Sequence, residues 1–185
     1  MTTGAEAGGG PSPGLARLWA GWRSAYITRV STDDAELRRD AEGLSLFERI
    51  LTAEVPDEDA LVVRRGAHVS VLLNAFPYGS GHLLVLPDRA VADLAGLTAD
   101  EATELWATVH DAVAAVRSAY EPDGVNVGLN LGSAAGAGVP DHLHVHVLPR
   151  WAADANFMTA VAETRVLPEP LVETYRKVTD AWPAG

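Results

Sequence analysis

Asp141-His142-Leu143-His144-Val145-His146-Val147-Leu148-Pro149 is the stretch on which the reading of this chain turns. Three of the chain's six histidines fall within five residues, at a spacing of two. Side chains of a β-strand alternate between faces. The spacing therefore predicts His142, His144 and His146 on one side and Leu143, Val145 and Val147 toward a core. Alternation asks only for some polar residue at each outward position, so three imidazoles in a row point to a site. Upstream, Gly132 to Pro140 is a run of small residues, Gly132-Ser133-Ala134-Ala135-Gly136-Ala137-Gly138-Val139-Pro140. Such a loop permits close backbone approach, and its N–H groups can cradle an anion.

Working outward, Val125 to Leu131 alternates apolar residues against Asn126, Gly128 and Asn130, which predicts a strand beside the histidines. Gly81-His82-Leu83-Leu84-Val85-Leu86-Pro87 is another strand, and Leu61–Arg65 with His68–Asn74 forms a hairpin turned by Gly66-Ala67. Thr98-Ala99-Asp100-Glu101 has the form of a capping box and opens a long helix running to Tyr120, with Leu105, Val109, Val113 and Val116 as its buried stripe. Shorter helices are predicted over Leu44–Ala53 and Pro168–Trp182. The order gives an α+β domain, an antiparallel sheet of about five strands with helices packed against it. Residues 1–14 read as a disordered tail and residues 15–185 as one domain, with Leu15–Ile27 as an amphipathic docking segment and Ser31–Glu42 as a charged connection.

The net charge of −11 argues against a nucleic-acid partner, which needs a basic face. It leaves room for a small anionic ligand in a locally positive pocket. There are no cysteines, which excludes disulfides, thiolate metal sites and cysteine nucleophiles. No stretch approaches the length of a membrane span, and no basic region followed by an apolar run marks a signal peptide. The expectation is a cytoplasmic protein.

Imidazole is a good nucleophile toward phosphorus and both attacks and leaves near neutral pH. Neighbouring imidazoles can fix its tautomer and assist a leaving oxygen. Beside a small-residue loop, with Asn130 and Arg150 close in sequence, the block reads as a site for phosphoryl or nucleotidyl transfer through a covalent histidine. Two other readings of the same residues stand beside it. Three imidazoles on a strand could ligate a metal, or they could line a solvated strand face.

The pattern His142-Leu143-His144-Val145-His146-Val147-Leu148 resembles the signature of the histidine-triad (HIT) nucleotide hydrolases and transferases. Asn74 ahead of Gly81-His82-Leu83-Leu84-Val85-Leu86-Pro87, and Asn130-Leu131-Gly132 ahead of Ala135-Gly136-Ala137-Gly138, extend the resemblance over Leu44 to Trp151. Asn74-Ala75-Phe76-Pro77-Tyr78, Arg17-Leu18-Trp19 and the tail after Pro149 are similar to the bacterial diadenosine tetraphosphate phosphorylases of that superfamily. The resemblance implies a HIT-like fold with N- and C-terminal helical extensions. It implies His144 as nucleophile on the α-phosphorus, with His142 and His146 orienting it and assisting the leaving group. It further implies His82 as a buttress, Asn74 at the ribose, and Asn130 with the Gly136-Ala137-Gly138 backbone at the phosphate. Arg150 and Trp151 follow the triad and are further substrate-binding candidates, and Phe47 is a candidate for an adenine pocket.

The expected reaction is cleavage of diadenosine tetraphosphate by inorganic phosphate to ATP and ADP. The alternatives are a hydrolase or phosphoramidase releasing AMP, and a nucleotide-binding protein with little turnover. No cofactor is required, although magnesium can accompany the substrate phosphates. Leu44 and Phe47 stand where many relatives carry zinc-binding cysteines, so no structural zinc is expected. Gly138 stands where relatives often have Gln or Ser, so a side-chain phosphate donor is missing from the loop. The resemblance also implies a homodimer or higher assembly, paired through the long helix with Trp106.

Overall fold

A computed structural model describes residues 17–18, 40, 43–152, 154, 165–166 and 169–184. The elements run β1 (Arg17–Leu18), α1 (Leu46–Thr52), α2 (Asp57–Ala60), β2 (Val62–Arg65), β3 (Val69–Leu73), β4 (Leu83–Pro87), a 3-10 turn at Leu94–Gly96 and α3 (Ala99–Tyr120). They continue with β5 (Gly124–Leu129), a second 3-10 turn at Ser133–Ala135, β6 (Val145–Arg150), β7 (Arg165–Val166) and α4 (Leu171–Asp180). Five strands form one sheet in the order β2-β3-β4-β6-β5, and every neighbouring pair is antiparallel.

Period-two patterning sends each strand's side chains to two different cores. On one face Val69, Val71 and Leu73 of β3, Leu83 and Val85 of β4, and Val145 and Val147 of β6 pack with Leu105, Val109, Ala112 and Val116 of α3 and Val178 of α4. On the other face Leu72, Leu84 and Leu86 pack with Leu46 and Phe47 of α1 and with Val139. Both faces of β3 and β4 are covered, which is why all ten of their residues are buried. The helix α3 forms as its sequence predicts. Thr98 accepts from the Glu101 amide, and Glu101 reaches back to the Thr98 amide.

A carboxylate ties α3 to the hairpin. Glu104 accepts from the amides of Ala67, His68 and Val69, so the turn between β2 and β3 closes around a side chain of the helix. Gly66 permits this approach, because a Cβ there would lie 2.1 Å from the Glu104 carboxylate.

Several boundaries differ from the sequence reading. The helix expected over Leu44–Ala53 begins at Leu46, because Ser45 is its N-cap in a capping box with Glu48. The C-terminal helix runs Leu171–Asp180, starting after Pro170. The histidine strand begins at Val145, so His142 and His144 precede the ladder. Extending the β4·β6 register, which pairs Val85 with Val145, sets Leu143 opposite Pro87, and proline has no N–H to give. Pro87 thus cannot donate to the Leu143 carbonyl, its own carbonyl accepts from the His142 ring, and the Leu143 amide bonds to the Val91 carbonyl at 2.6 Å. Arg17–Leu18 is strand, not helix, and pairs in parallel with Arg165–Val166 of the C-terminal extension. The tail over residues 1–14, and the rest of the docking segment and charged connection, lie outside the described residues apart from Asp40. Among the described residues no helix is long and apolar enough to cross a membrane.

Candidate active site

The predicted alternation survives the loss of the ladder. Leu143, Val145 and Val147 all enter the α3-side core, and the three histidines lie on the opposite face with α1. His142 is wholly buried and His144 is 5% exposed. His146 pairs in register with Leu84 on one side and Gly128 on the other. A Cβ on Gly128 would meet nothing within 4 Å, so the sheet leaves open space beside His146.

The hydrogen bonds assign each ring its tautomer. The Phe76 amide donates to Asn74 Oδ1, at 2.9 Å, which turns the Asn74 amide group toward His82 Nδ1. His82 Nδ1 also accepts from the Tyr78 backbone N–H at 3.1 Å, so its proton sits on Nε2. That proton is donated to His146 Nδ1, 2.9 Å away. Neutral His146 therefore carries its own proton on Nε2 and presents it as a donor. Burial, and then the nearby His144, hold the His146 pKa down to about 4, so the ring is neutral at pH 7.

His144 Nδ1 lies 2.9 Å from the carbonyl oxygen of His142 and must carry the proton there. Its Nε2 then holds a lone pair, and burial lowers its pKa below the ordinary histidine value, keeping that lone pair unprotonated. A desolvated neutral imidazole with a fixed tautomer is a ready nucleophile. His142 is placed differently. Its Nε2 donates to the Pro87 carbonyl at 2.7 Å, and its Nδ1 lies 2.6 Å from Ser45 Oγ. Both ring nitrogens are held by protein groups, and what His142 offers to His144 is its backbone carbonyl. With both nitrogens so engaged, the His142 ring has no lone pair left to offer a metal. Among the described residues no group of three or more His, Cys, Asp or Glu side chains is placed to hold a metal ion.

Two aromatic residues frame the row. Phe47 is buried and stands edge-on to His142 and His144, at 5.3 and 5.2 Å between centroids. This seats Phe47 against the histidines as part of the α1-side core. Tyr78 is 44% exposed and stacks on His146 at 5.9 Å, inclined by 25°. Sequence reasoning gave neither Ser45 nor Tyr78 a role in the site, although Tyr78 closes the Asn74–Tyr78 stretch that carries part of the resemblance. The Ser-x-x-Glu of Ser45 to Glu48 was a readable helix-start signal, whereas nothing local to Tyr78 links it to a histidine far along the chain.

The remaining candidates separate into two groups. Asn130 lies one residue past β5, and continuing the β5·β6 register places it opposite His144. The adjoining loop is exposed at Gly136 and Gly138, but the Gly136 and Ala137 amides close the turn on Ser133 and Gly132. Asn74 sits against His82 as described. Arg150 and Trp151 are not brought to the histidines. Arg150 is at the far end of β6, about 13 Å along the strand from His146, and its guanidinium is bound by Asp154 and Asn126. Trp151 stands edge-on to Tyr120 of α3, 6.0 Å away. His68 and His110 are exposed surface residues.

Comparison with known proteins agrees with this geometry. The sequence model of the HIT domain matches residues 55–153. The chain is 40% identical over 180 residues to the AP-4-A phosphorylase of Mycobacterium tuberculosis, covering 96% of this chain and 89% of that protein. It is 38% identical over 85 residues to the asymmetrical bis(5'-nucleosyl)-tetraphosphatase of Schizosaccharomyces pombe, covering 46% of each. Among solved structures, a zinc-bound histidine triad family protein from Mycobacterium smegmatis superimposes with a TM-score of 0.59 at 26% identity, over 74% of this chain and 91% of that one.

Proposed function

The chain belongs to the HIT domain family and is an enzyme acting on nucleotides, and from that premise we propose that it cleaves diadenosine tetraphosphate with inorganic phosphate through an adenylyl-His144 intermediate. The observation that carries this reading is His144, with Nδ1–H fixed on the His142 carbonyl and the Nε2 lone pair left to react. The likeness to a phosphorylase along nearly the whole chain supports the choice of substrate.

In the first step His144 Nε2 attacks the α-phosphorus, the bond to the bridging oxygen breaks, and ATP leaves. The charge that develops on the ring strengthens the Nδ1–H bond to the His142 carbonyl, so this interaction is tighter in the transition state than before it. The departing polyphosphate is a stable anion at neutral pH and needs a hydrogen bond more than a proton, which His146 Nε2–H can donate. In the second step an oxygen of inorganic phosphate attacks the adenylyl group, giving ADP and restoring neutral His144. Asn130 beside His144 is proposed to hold a phosphate oxygen. Asn74 serves as the support of His82, since its side chain is already engaged there. No resident metal enters these steps, and magnesium would arrive with the substrate. A homodimer is proposed as well, supported by the exposed Trp106 on α3; light scattering in solution tests it.

Incubation with diadenosine tetraphosphate, with and without phosphate, tests the function. ATP plus ADP, formed only with phosphate, is the expected result. ATP plus AMP in both tubes would instead make water the acceptor, as in the tetraphosphatase relative. His144→Ala should lower turnover by about a thousandfold or more, and an unaffected rate in that variant would exclude the covalent route.

A further inference from the structure

We infer that Ser45, the N-cap of α1, is a positioning residue for His144, acting through the ring of His142. The inference rests on the reading of His144 as the nucleophile and extends it to a residue that touches no substrate.

The path is short and buried. Ser45 is 1% exposed, and its Oγ lies 2.6 Å from His142 Nδ1. Because His142 Nε2 must donate to the Pro87 carbonyl, neutral His142 has an unprotonated Nδ1, and the Ser45 hydroxyl donates to it. The hydroxyl oxygen accepts in turn from the Glu48 amide, and Glu48 closes the capping box on the Ser45 amide. The other carboxylate oxygen of Glu48 accepts from the Ala90 amide, next to Val91, whose carbonyl holds the Leu143 amide. The first turn of α1 thus grips the segment at both His142 and Leu143. The peptide carbonyl between those two residues is the one that fixes the His144 tautomer.

This segment lies outside the β4·β6 ladder, so strand hydrogen bonding does not orient that carbonyl. The His142 ring is anchored at its two nitrogens, by Pro87 and by Ser45. With the Ser45 hydroxyl gone, the buried Nδ1 loses that donor while Nε2 stays on the Pro87 carbonyl. The ring can then turn and the buried residue repack, and the His142 carbonyl, whose peptide plane is still tethered through the Leu143 amide on Val91, shifts relative to His144 Nδ1. His144 Nδ1–H loses its preferred acceptor, and the other tautomer, with the proton on Nε2, gains population. That tautomer cannot attack phosphorus.

The test is Ser45→Ala in the full chain, with Ser45→Thr as the rescue variant and Thr98→Ala as a control. Thr98 caps α3 in the same manner on the opposite side of the sheet, so its loss weakens the fold comparably without touching the histidines. Two readouts are used. Nitrogen NMR of the histidine rings reports the His144 tautomer without substrate, and steady-state kinetics follow diadenosine tetraphosphate. Ser45→Ala should raise the Nε2–H tautomer of His144 and lower kcat by about ten- to a hundredfold, with KM little changed. Ser45→Thr should restore both, and Thr98→Ala should move neither. An unchanged tautomer in Ser45→Ala, or an equal loss of kcat in Thr98→Ala, would overturn the inference. If the wild-type protein itself does not turn over the substrate, the proposed function fails, and the tautomer measurement still decides the role of Ser45.

Discussion

At the scale of single residues, the site is a set of imidazoles distinguished by environment, not by type. His142 has both nitrogens bound and supplies a carbonyl, His144 keeps a lone pair, and His146 keeps a proton. Equal spacing in sequence gives no hint of these differences, because they come from Ser45, Pro87, His82 and Tyr78, all more than fifty residues away. The face the histidines share was legible from strand alternation, whereas the support from His82 came only from the resemblance, because a lone histidine on a strand reads equally well as a core residue. The pH profile follows from the same environments. Burial lowers the His144 pKa below 6.5 and takes that of His146 to about 4, so both rings charge at lower pH than an ordinary histidine. The proposed nucleophile and donor both need the neutral form. The acid limb of kcat/KM is therefore expected below pH 6.5. A limb at or above 6.5 would show that the reacting histidine is not the buried one described.

At the scale of elements, the sequence patterns located every strand of the five-stranded sheet and both larger described helices. They failed at ends, for reasons particular to each end. The histidine strand starts late because register brings Pro87 opposite Leu143, which local reading of residues 141–149 does not reveal. Arg150 and Trp151 looked like site residues from closeness in sequence, yet four residues along a strand is a long way, and Trp151 is turned toward α3. The link between Glu104 and the β2–β3 turn was invisible for the opposite reason, since its partners are distant in sequence and adjacent in space. That link carries its own expectation. Glu104→Ala removes one carboxylate from three amides, of which those of Ala67 and His68 can turn to water while that of Val69 is partly buried. The loss should be about 1–2 kcal/mol in urea unfolding, with Glu104→Gln intermediate because it keeps one carbonyl acceptor. Turnover should be unchanged, because the turn lies on the α3 side of the hairpin and away from the histidines. A loss of activity without a loss of stability would contradict this placement.

For the whole molecule, the groups whose pKa values shift on folding together set the pH range over which the fold is most stable. A group whose folded pKa lies below its unfolded value binds fewer protons when folded, so stability falls as pH drops. His144 and His146 are of this kind, and their window opens near pH 6.5 and extends to about 4 for His146. Glu101, paired with Arg89, and Asp154, paired with Arg150, both have pKa values lowered to about 2, and they extend the decline to lower pH. Tyr120 acts in the other direction. Burial, and then its bond to Glu169, raise its pKa well above 10, so its contribution is lost as pH climbs past 10. A plateau between about pH 6.5 and 10 follows from these unfolded-state values. General repulsion argues against the acid side of this picture, because the charge of −11 fades as pH approaches the isoelectric point near 4.8. That relief acts between exposed charges and is screened beyond about 8 Å at physiological salt. Each proton taken up only by the unfolded chain costs about 1.4 kcal/mol per pH unit. The local groups should therefore win at 0.15 M salt. The urea midpoint is expected to fall steadily from pH 6.5 to 4, and the double variant His144→Asn, His146→Asn should flatten that interval while leaving the decline below pH 4 in place. A midpoint that rises on acidification through this window would mean that the histidines are not buried in their neutral form.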